Sequence, residues 1–198
     1  MKLAFFGAFN PPTAAHLELA RFALEAEGAE QVIFVPSKAV YIRGEQGKDF
    51  AYTDGERLAM LRKAAESRPW MTVCDWEIRQ DHQPRTYETL RRLLEEGRPA
   101  KLLMGSDKLP ELEHGWLHVP EIVQEFGIVC LTRGGDDCEQ MIRRDPFLST
   151  LADGIRVLET PEKTRGVSST EVRGRIREIR RIEKELEEMV PPEIRPML

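Results

Sequence analysis

Apolar residues fall along this chain in two rhythms that alternate almost from end to end. In one, a short and mostly apolar run stands between polar stretches, which suits a strand covered on both faces of a sheet. Such runs predict strands at Lys2–Phe6, Gln31–Val35, Thr72–Glu77, Lys101–Met104, Gly127–Leu131 and Ile155–Leu158. In the other, apolar residues recur every three or four positions, the period of an amphipathic helix. Leu17, Ala20 and Leu24 mark a helix over Thr13–Glu27, and Leu58, Leu61 and Ala65 mark one over Asp54–Ser67. The second opens on Thr53-Asp54-Gly55-Glu56, the reciprocal pattern of a capping box. Further helices are predicted at Tyr87–Glu96, Pro120–Glu125, Cys138–Arg143 and Ser169–Met189.

Strands that alternate with helices imply an α/β, doubly wound architecture: a mainly parallel sheet of roughly six strands with helices on both faces. Ligands of such sheets sit beyond the carboxyl ends of the strands, near the point where strand order reverses. Gly7, Pro36, Gly105 and Arg133 follow predicted strand ends and belong to that rim. A length of 198 residues suits one domain spanning residues 1–198 better than two.

Composition narrows the class. A hydrophobic fraction of 41% with 32% charged residues is that of a soluble globular protein. No stretch approaches the ~20 apolar residues of a membrane span, so no membrane partner is expected. The net charge of −5 argues against a nucleic-acid surface, which would be basic. Cys74, Cys130 and Cys138 have neither metal-knuckle nor CxxC spacing and fit a reducing compartment. Leu3–Phe9 after Lys2 is at the short limit for a secretory signal, and Asn10-Pro11-Pro12 ends it. A cytoplasmic protein is expected.

The candidate chemistry lies at the two ends. Leu3-Ala4-Phe5-Phe6 runs into Gly7-Ala8-Phe9-Asn10-Pro11-Pro12 and then Thr13-Ala14-Ala15-His16-Leu17. Thr13 suits an N-cap, and His16 lies three residues on, along the same face of the first turn. Unpaired N–H groups and the helix dipole make that start a site for phosphate. Ser168-Ser169-Thr170-Glu171-Val172-Arg173 repeats the device. Arg173 in a first turn opposes the dipole unless an anion sits there. Neither GxGxxG nor GxxxxGK[ST] is present, which removes plain dinucleotide and P-loop readings. Asp107, directly after a strand, suits ribose hydroxyls or a loop cap; Trp116 suits a stacked ring or a core cover. His82, His114 and His118 read as loop or surface residues, and Arg173 to Arg181 as a solvated helix face.

Gly7–Leu17 resembles the Gly-x-Phe-Asp/Asn-Pro-x-(His/Thr)-x-Gly-His-Leu signature of the nucleotidylyltransferase superfamily, and Val167–Arg173 its Ile-Ser-Ser-Thr-x-Ile-Arg signature. Met104–Leu109, Thr86–Leu90, Thr53–Leu61, Leu131-Thr132-Arg133-Gly134 and the position of Trp116 are similar to bacterial nicotinate-mononucleotide adenylyltransferases. The resemblance covers nearly the whole chain. It implies a Rossmann-like fold and transfer of the adenylyl group of ATP to nicotinate mononucleotide, giving nicotinate adenine dinucleotide and pyrophosphate. It implies catalytic roles for His16, Thr13 and Arg173. It implies ATP binding by Gly7, Ala8, Phe9, Gly105, Asp107, Ser168, Ser169, Thr170 and Arg43, and acceptor binding by Thr86, Trp116 and Arg133. Mg²⁺ would be delivered with ATP, with no metal held by the protein alone.

The chain also departs from that pattern. Thr13 replaces the first His of the usual His-x-Gly-His and Ala15 replaces its Gly. The usual Pro-Pro-His-Lys after the second strand is missing, leaving Arg43, Lys38 or Lys48 as the basic residue for the triphosphate. Arg85 stands where a Tyr often precedes the Thr. Two alternatives stay open: a sister enzyme using nicotinamide mononucleotide, phosphopantetheine, or CTP with a phosphorylated alcohol, and a nucleotide-binding module that has lost catalysis. The long charged C-terminal helix is suited to packing in a homo-oligomer.

Overall fold

The computed structural model describes residues 1–44, 47, 52–133, 135–161 and 168–189. Lys48, Gly134 and Val167 lie outside the described residues. Six strands, β1 (Lys2–Gly7), β2 (Gln31–Pro36), β3 (Met71–Val73), β4 (Ala100–Gly105), β5 (Ile128–Leu131) and β6 (Ile155–Leu158), form one sheet. Its order is β3-β2-β1-β4-β5-β6 and every pairing is parallel. Strand order reverses between β1 and β4, so the crevice for a ligand opens above Gly7 and Gly105.

Alternate residues of each strand point to opposite faces, and each face has its own core. Ala4, Ile33, Val35, Leu102, Met104, Ile128 and Cys130 pack on one side. They meet α5 (Thr86–Glu95), α7 (Val119–Glu125), α8 (Cys138–Arg144) and α9 (Pro146–Ser149) through Leu90, Leu93, Ile122, Ile142 and Leu148. Leu3, Phe5, Val32, Phe34, Leu103, Val129 and Leu131 pack on the other side against α1 (Ala14–Glu27) and α3 (Asp54–Ala65). Each buried Val, Leu, Ile, Phe or Met among them contributes about 1.5–3 kcal/mol by leaving water, which is why helices must cover both faces. The last helix, α10, spans Ser169–Met189. No helix among the described residues is long and apolar enough to cross a membrane. Cys74, Cys130 and Cys138 are buried free thiols whose pKa values burial pushes up, so they behave as core residues.

One predicted strand is shorter than the pattern suggested. Thr72–Glu77 pairs with β2 only as far as Val73, and the Cys74 N–H makes a last bond to the Phe34 carbonyl at 2.9 Å. The chain then turns into α4 (Trp76–Arg79), which carries Glu77 inward. Strand pairing would have placed Glu77 at the sheet edge, whereas its carboxylate is held by Thr89 of α5. The short helix α2 (Ala39–Gly44), a 3-10 turn over Ser106–Glu111 and α6 (Leu112–Gly115) are also additions to the predicted elements. Pieces of four to six residues carry too few apolar positions to show a period.

Candidate active site

A cleft of about 1220 Å³ lies over the switch point. Its walls come from the loops after β1, β4 and β5, the start of α5 and the first residues of α10. The β1 loop is built around two compact features. Phe9 adopts a positive φ of 41° and tucks its ring, 1% exposed, under Gly7; a Cβ at Gly7 would stand 3.1 Å from that ring. A left-handed Phe costs about 1–2 kcal/mol. Its ring stacks edge-on against Phe5 and His16, with centroids 5.5 and 5.2 Å apart, which offsets that cost and fixes the floor under the imidazole.

Thr13 caps α1, and His16 takes the place that Glu usually holds in a capping box. The Thr13 N–H donates to His16 Nδ1 at 3.1 Å, while the Thr13 hydroxyl lies 2.8 Å from the same nitrogen and accepts from the His16 N–H at 3.4 Å. A backbone N–H can only donate, so Nδ1 is the acceptor and the neutral ring carries its proton on Nε2. Sequence spacing placed these two residues on one face; their contacts add that Thr13 fixes the tautomer of the neutral His16 ring.

The C-terminal device joins the same wall. Ser168 caps α10 by accepting from the Glu171 N–H at 3.1 Å. The Ser169 hydroxyl donates to the Pro11 carbonyl at 2.8 Å, and Arg173 donates to the Asn10 carbonyl at 2.6 Å and to the Thr170 hydroxyl at 3.1 Å. Residues 10–11 and 169–173 are thereby stitched together, and Ser168, Ser169 and Thr170 line the cleft with Thr13 and His16.

Not every predicted residue reaches that wall. Gly7, Phe9, Gly105, Asp107, Thr86, Trp116 and Arg133 do. Arg173 does not: it is 8% exposed, its guanidinium is engaged with Asn10 and Thr170, and burial, then the nearby Arg177 charge, draws its pKa down. Ala8 is also off the wall; its carbonyl accepts from Arg57 at 2.7 Å. Arg43 sits exposed at the end of α2, outside the lining. Lys38 Nζ donates to the carbonyls of Ile78, at 2.9 Å, and Gln80.

Two buried charges that the sequence did not single out organise the rim. Arg57, fully buried, reaches the carbonyls of Ala8 and Ser37 and the Asp54 carboxylate, which also accepts from the Ala39 N–H at 2.7 Å. One side chain from α3 thus holds the loops after β1 and β2 at fixed separation. Glu77, 1% exposed, lines the cleft, accepting from Thr89 at 2.7 Å and from Gln83 at 2.5 Å. Burial pushes its pKa up to about 7 against the pull of those two bonds. Gln83 also accepts from the Lys38 N–H at 2.8 Å, so the segment ahead of α5 is tied from below and from the side. Arg85 then occupies the N-cap of α5 without a side-chain cap bond, beside Thr86 on the wall.

At the opposite rim the Asp107 carboxylate folds back over the end of β4; a Cβ at Gly105 would stand 2.6 Å from its Oδ1. Arg133 Nη1 lies 3.5 Å from Asp107, and Ser106 donates to Asp136 at 2.6 Å, which links the loops after β4 and β5. Trp116 both lines the cleft and packs against the core.

Comparison with known proteins gives this geometry a context. A model of the family described as cytidylyltransferase-like matches residues 4–175. The "Probable nicotinate-nucleotide adenylyltransferase" of Carboxydothermus hydrogenoformans is 32% identical over 88% of this chain and 85% of that protein. A Caldicellulosiruptor bescii protein of the same name is 28% identical over 98% of this chain and 94% of its own length. Among solved structures, Plasmodium falciparum nicotinic acid mononucleotide adenylyltransferase complexed with NaAD superposes with a TM-score of 0.66 at 16% identity. The match covers 87% of this chain and 82% of that one, a likeness of fold.

Proposed function

Because the chain belongs to the cytidylyltransferase-like family, we propose that it transfers the adenylyl group of ATP to nicotinate mononucleotide, releasing pyrophosphate. The observation that carries the reading is the convergence of two helix starts, Thr13–His16 and Ser168–Thr170, on one cleft large enough for both substrates. The names of relatives that align over most of this chain support the choice of acceptor.

An oxygen of the mononucleotide 5′-phosphate attacks the α-phosphorus of ATP in line, and the bond to the bridging oxygen of pyrophosphate breaks. Positioning and charge stabilisation carry most of such a reaction. His16, with Nδ1 engaged by Thr13, offers Nε2–H as a neutral donor to the α-phosphate as charge spreads over its oxygens. The N–H groups and hydroxyls of Ser168–Thr170 receive the β- and γ-phosphates at the start of α10. Arg173 acts behind them, holding that start against the β1 loop. Mg²⁺ would enter as part of the ATP substrate and would supply positive charge to its phosphates. On the acceptor side Trp116 covers the pyridine ring, and Thr86 opens α5 beside it.

The test is a pyrophosphate-release assay that crosses ATP and CTP with nicotinate mononucleotide, nicotinamide mononucleotide, phosphopantetheine and a phosphorylated alcohol. Release with ATP and nicotinate mononucleotide is expected. Release only with another pair assigns a sister reaction, and nucleotide binding without release with any pair removes catalysis altogether.

A further inference from the structure

Gln83, Pro84, Arg85 and Thr86 are consecutive residues of the cleft wall. The stretch that delivers them is fastened by side chains. Among the described residues, Asp81 to Pro84 make no backbone–backbone hydrogen bond, so no helix or sheet ladder sets their path. Lys38 Nζ anchors the start of the stretch on the Ile78 and Gln80 carbonyls, and the Gln83 amide anchors its end.

Gln83 uses both ends of that amide. Its Oε1 accepts from the Lys38 N–H at 2.8 Å, while Nε2 donates to Glu77 Oε2 at 2.5 Å and to the Pro84 carbonyl at 3.2 Å. A backbone N–H only donates and an ionised carboxylate only accepts, so the partners fix which way the amide points. Glu77 Oε1 takes the Thr89 hydroxyl, so each carboxylate oxygen meets its own donor. Glu77 is 1% exposed, and a carboxylate is costly to bury without such matching. The contacts continue toward the phosphate-binding wall. Lys38 follows Ser37, whose carbonyl Arg57 holds together with the Ala8 carbonyl of the β1 loop. Thr89, Glu77, Gln83, Lys38, Arg57 and Ala8 thus form one path from α5 to the loop ahead of Thr13 and His16. A reaction between two bound substrates depends on the walls that hold them keeping a fixed separation.

We propose that Glu77 and Gln83 are a positioning pair, whose carboxylate–amide contact holds the Arg85–Thr86 segment where it receives the mononucleotide. The inference rests on the acceptor role given to Thr86 in the proposed reaction. Initial rates of pyrophosphate release are measured with ATP and nicotinate mononucleotide, each varied while the other is saturating. Gln83→Glu keeps an acceptor for the Lys38 N–H but sets a second carboxylate against Glu77. It should raise the KM for nicotinate mononucleotide about tenfold, the scale of one lost hydrogen bond to a charged group. The KM for ATP should stay within about twofold of the parent's. The exchanged pair Glu77→Gln/Gln83→Glu again sets an amide against a carboxylate and still leaves an oxygen for Thr89. It should return the KM for nicotinate mononucleotide to within about threefold of the parent's, a repair that general destabilisation by the first substitution would not allow. The proposal is overturned by equal rises in both KM values, by an unchanged acceptor KM in Gln83→Glu, or by an exchanged pair no better than Gln83→Glu. Those outcomes touch the pair alone. A parent that does not turn over nicotinate mononucleotide overturns the reading of function, and the pair's role falls with it.

Discussion

Thr13 and His16 show how two side chains three residues apart can set each other's chemistry. The backbone N–H of Thr13 occupies Nδ1, so protonating the imidazole would turn that contact into two opposed donors. In the neutral ring the proton then sits on Nε2. His16→Ala should lower kcat by about 10²–10³, the scale for losing one donor to a developing oxyanion. Thr13→Ala removes the cap and should cost about 1 kcal/mol in chemical denaturation. It also removes the hydroxyl 2.8 Å from Nδ1 while the backbone N–H bond to that nitrogen stays, so kcat should fall modestly while Thr13→Ser restores most of both. A Thr13→Ala enzyme with unchanged turnover would mean the imidazole is oriented by other contacts. The two positions were readable as a helix start, but their reciprocal bonds were not. A histidine standing in for Glu in a capping box depends on loop torsions that no residue spacing specifies.

Among elements, the junction of α4 and α5 carries a titration of its own. Glu77 is the acid whose pKa burial raises, from 4.5 to about 7. The folded chain then binds more protons than the unfolded chain between those values, so stability declines as pH climbs through that window. A shift of that size corresponds to about 3 kcal/mol at most. Denaturant unfolding at pH 5 and pH 8 should show the decline in the parent and a shallower one in Glu77→Gln; equal slopes would remove Glu77 as its source. The same junction explains where the sequence reading stopped short. Thr72–Glu77 has strand-like composition, yet Glu77 is drawn inward by Thr89, twelve residues later. Lys38 suits a triphosphate in sequence terms, yet Nζ closes on carbonyls forty and forty-two residues away. The long helices and five of the strands carry their own periodic signal; α2 and α4 are tied by such distant contacts, Ala39 to Asp54 and Glu77 to Thr89.

For the whole molecule, the sheet order follows from the alternation of elements, and the two halves of the cleft meet because β1 and β4 are neighbours. Both helix-start segments were visible as motifs, but the burial of Arg173 behind them was not, because its partner is the Asn10 carbonyl 163 residues away. Arg173→Met should leave that carbonyl without this donor, cost about 2 kcal/mol of stability and raise the KM for ATP more than that for the acceptor. Equal rises in both would place Arg173 in general stability alone.

The stitch between residues 10–11 and 169–173 also bears on how the protein is made. Synthesis delivers Asn10 163 residues ahead of Arg173. The emerging chain can fold its sheet around β1 long before this fastening exists. If the proposed triphosphate grip is right, a product cut short before Ser168 should keep most of the scaffold and lose the reaction.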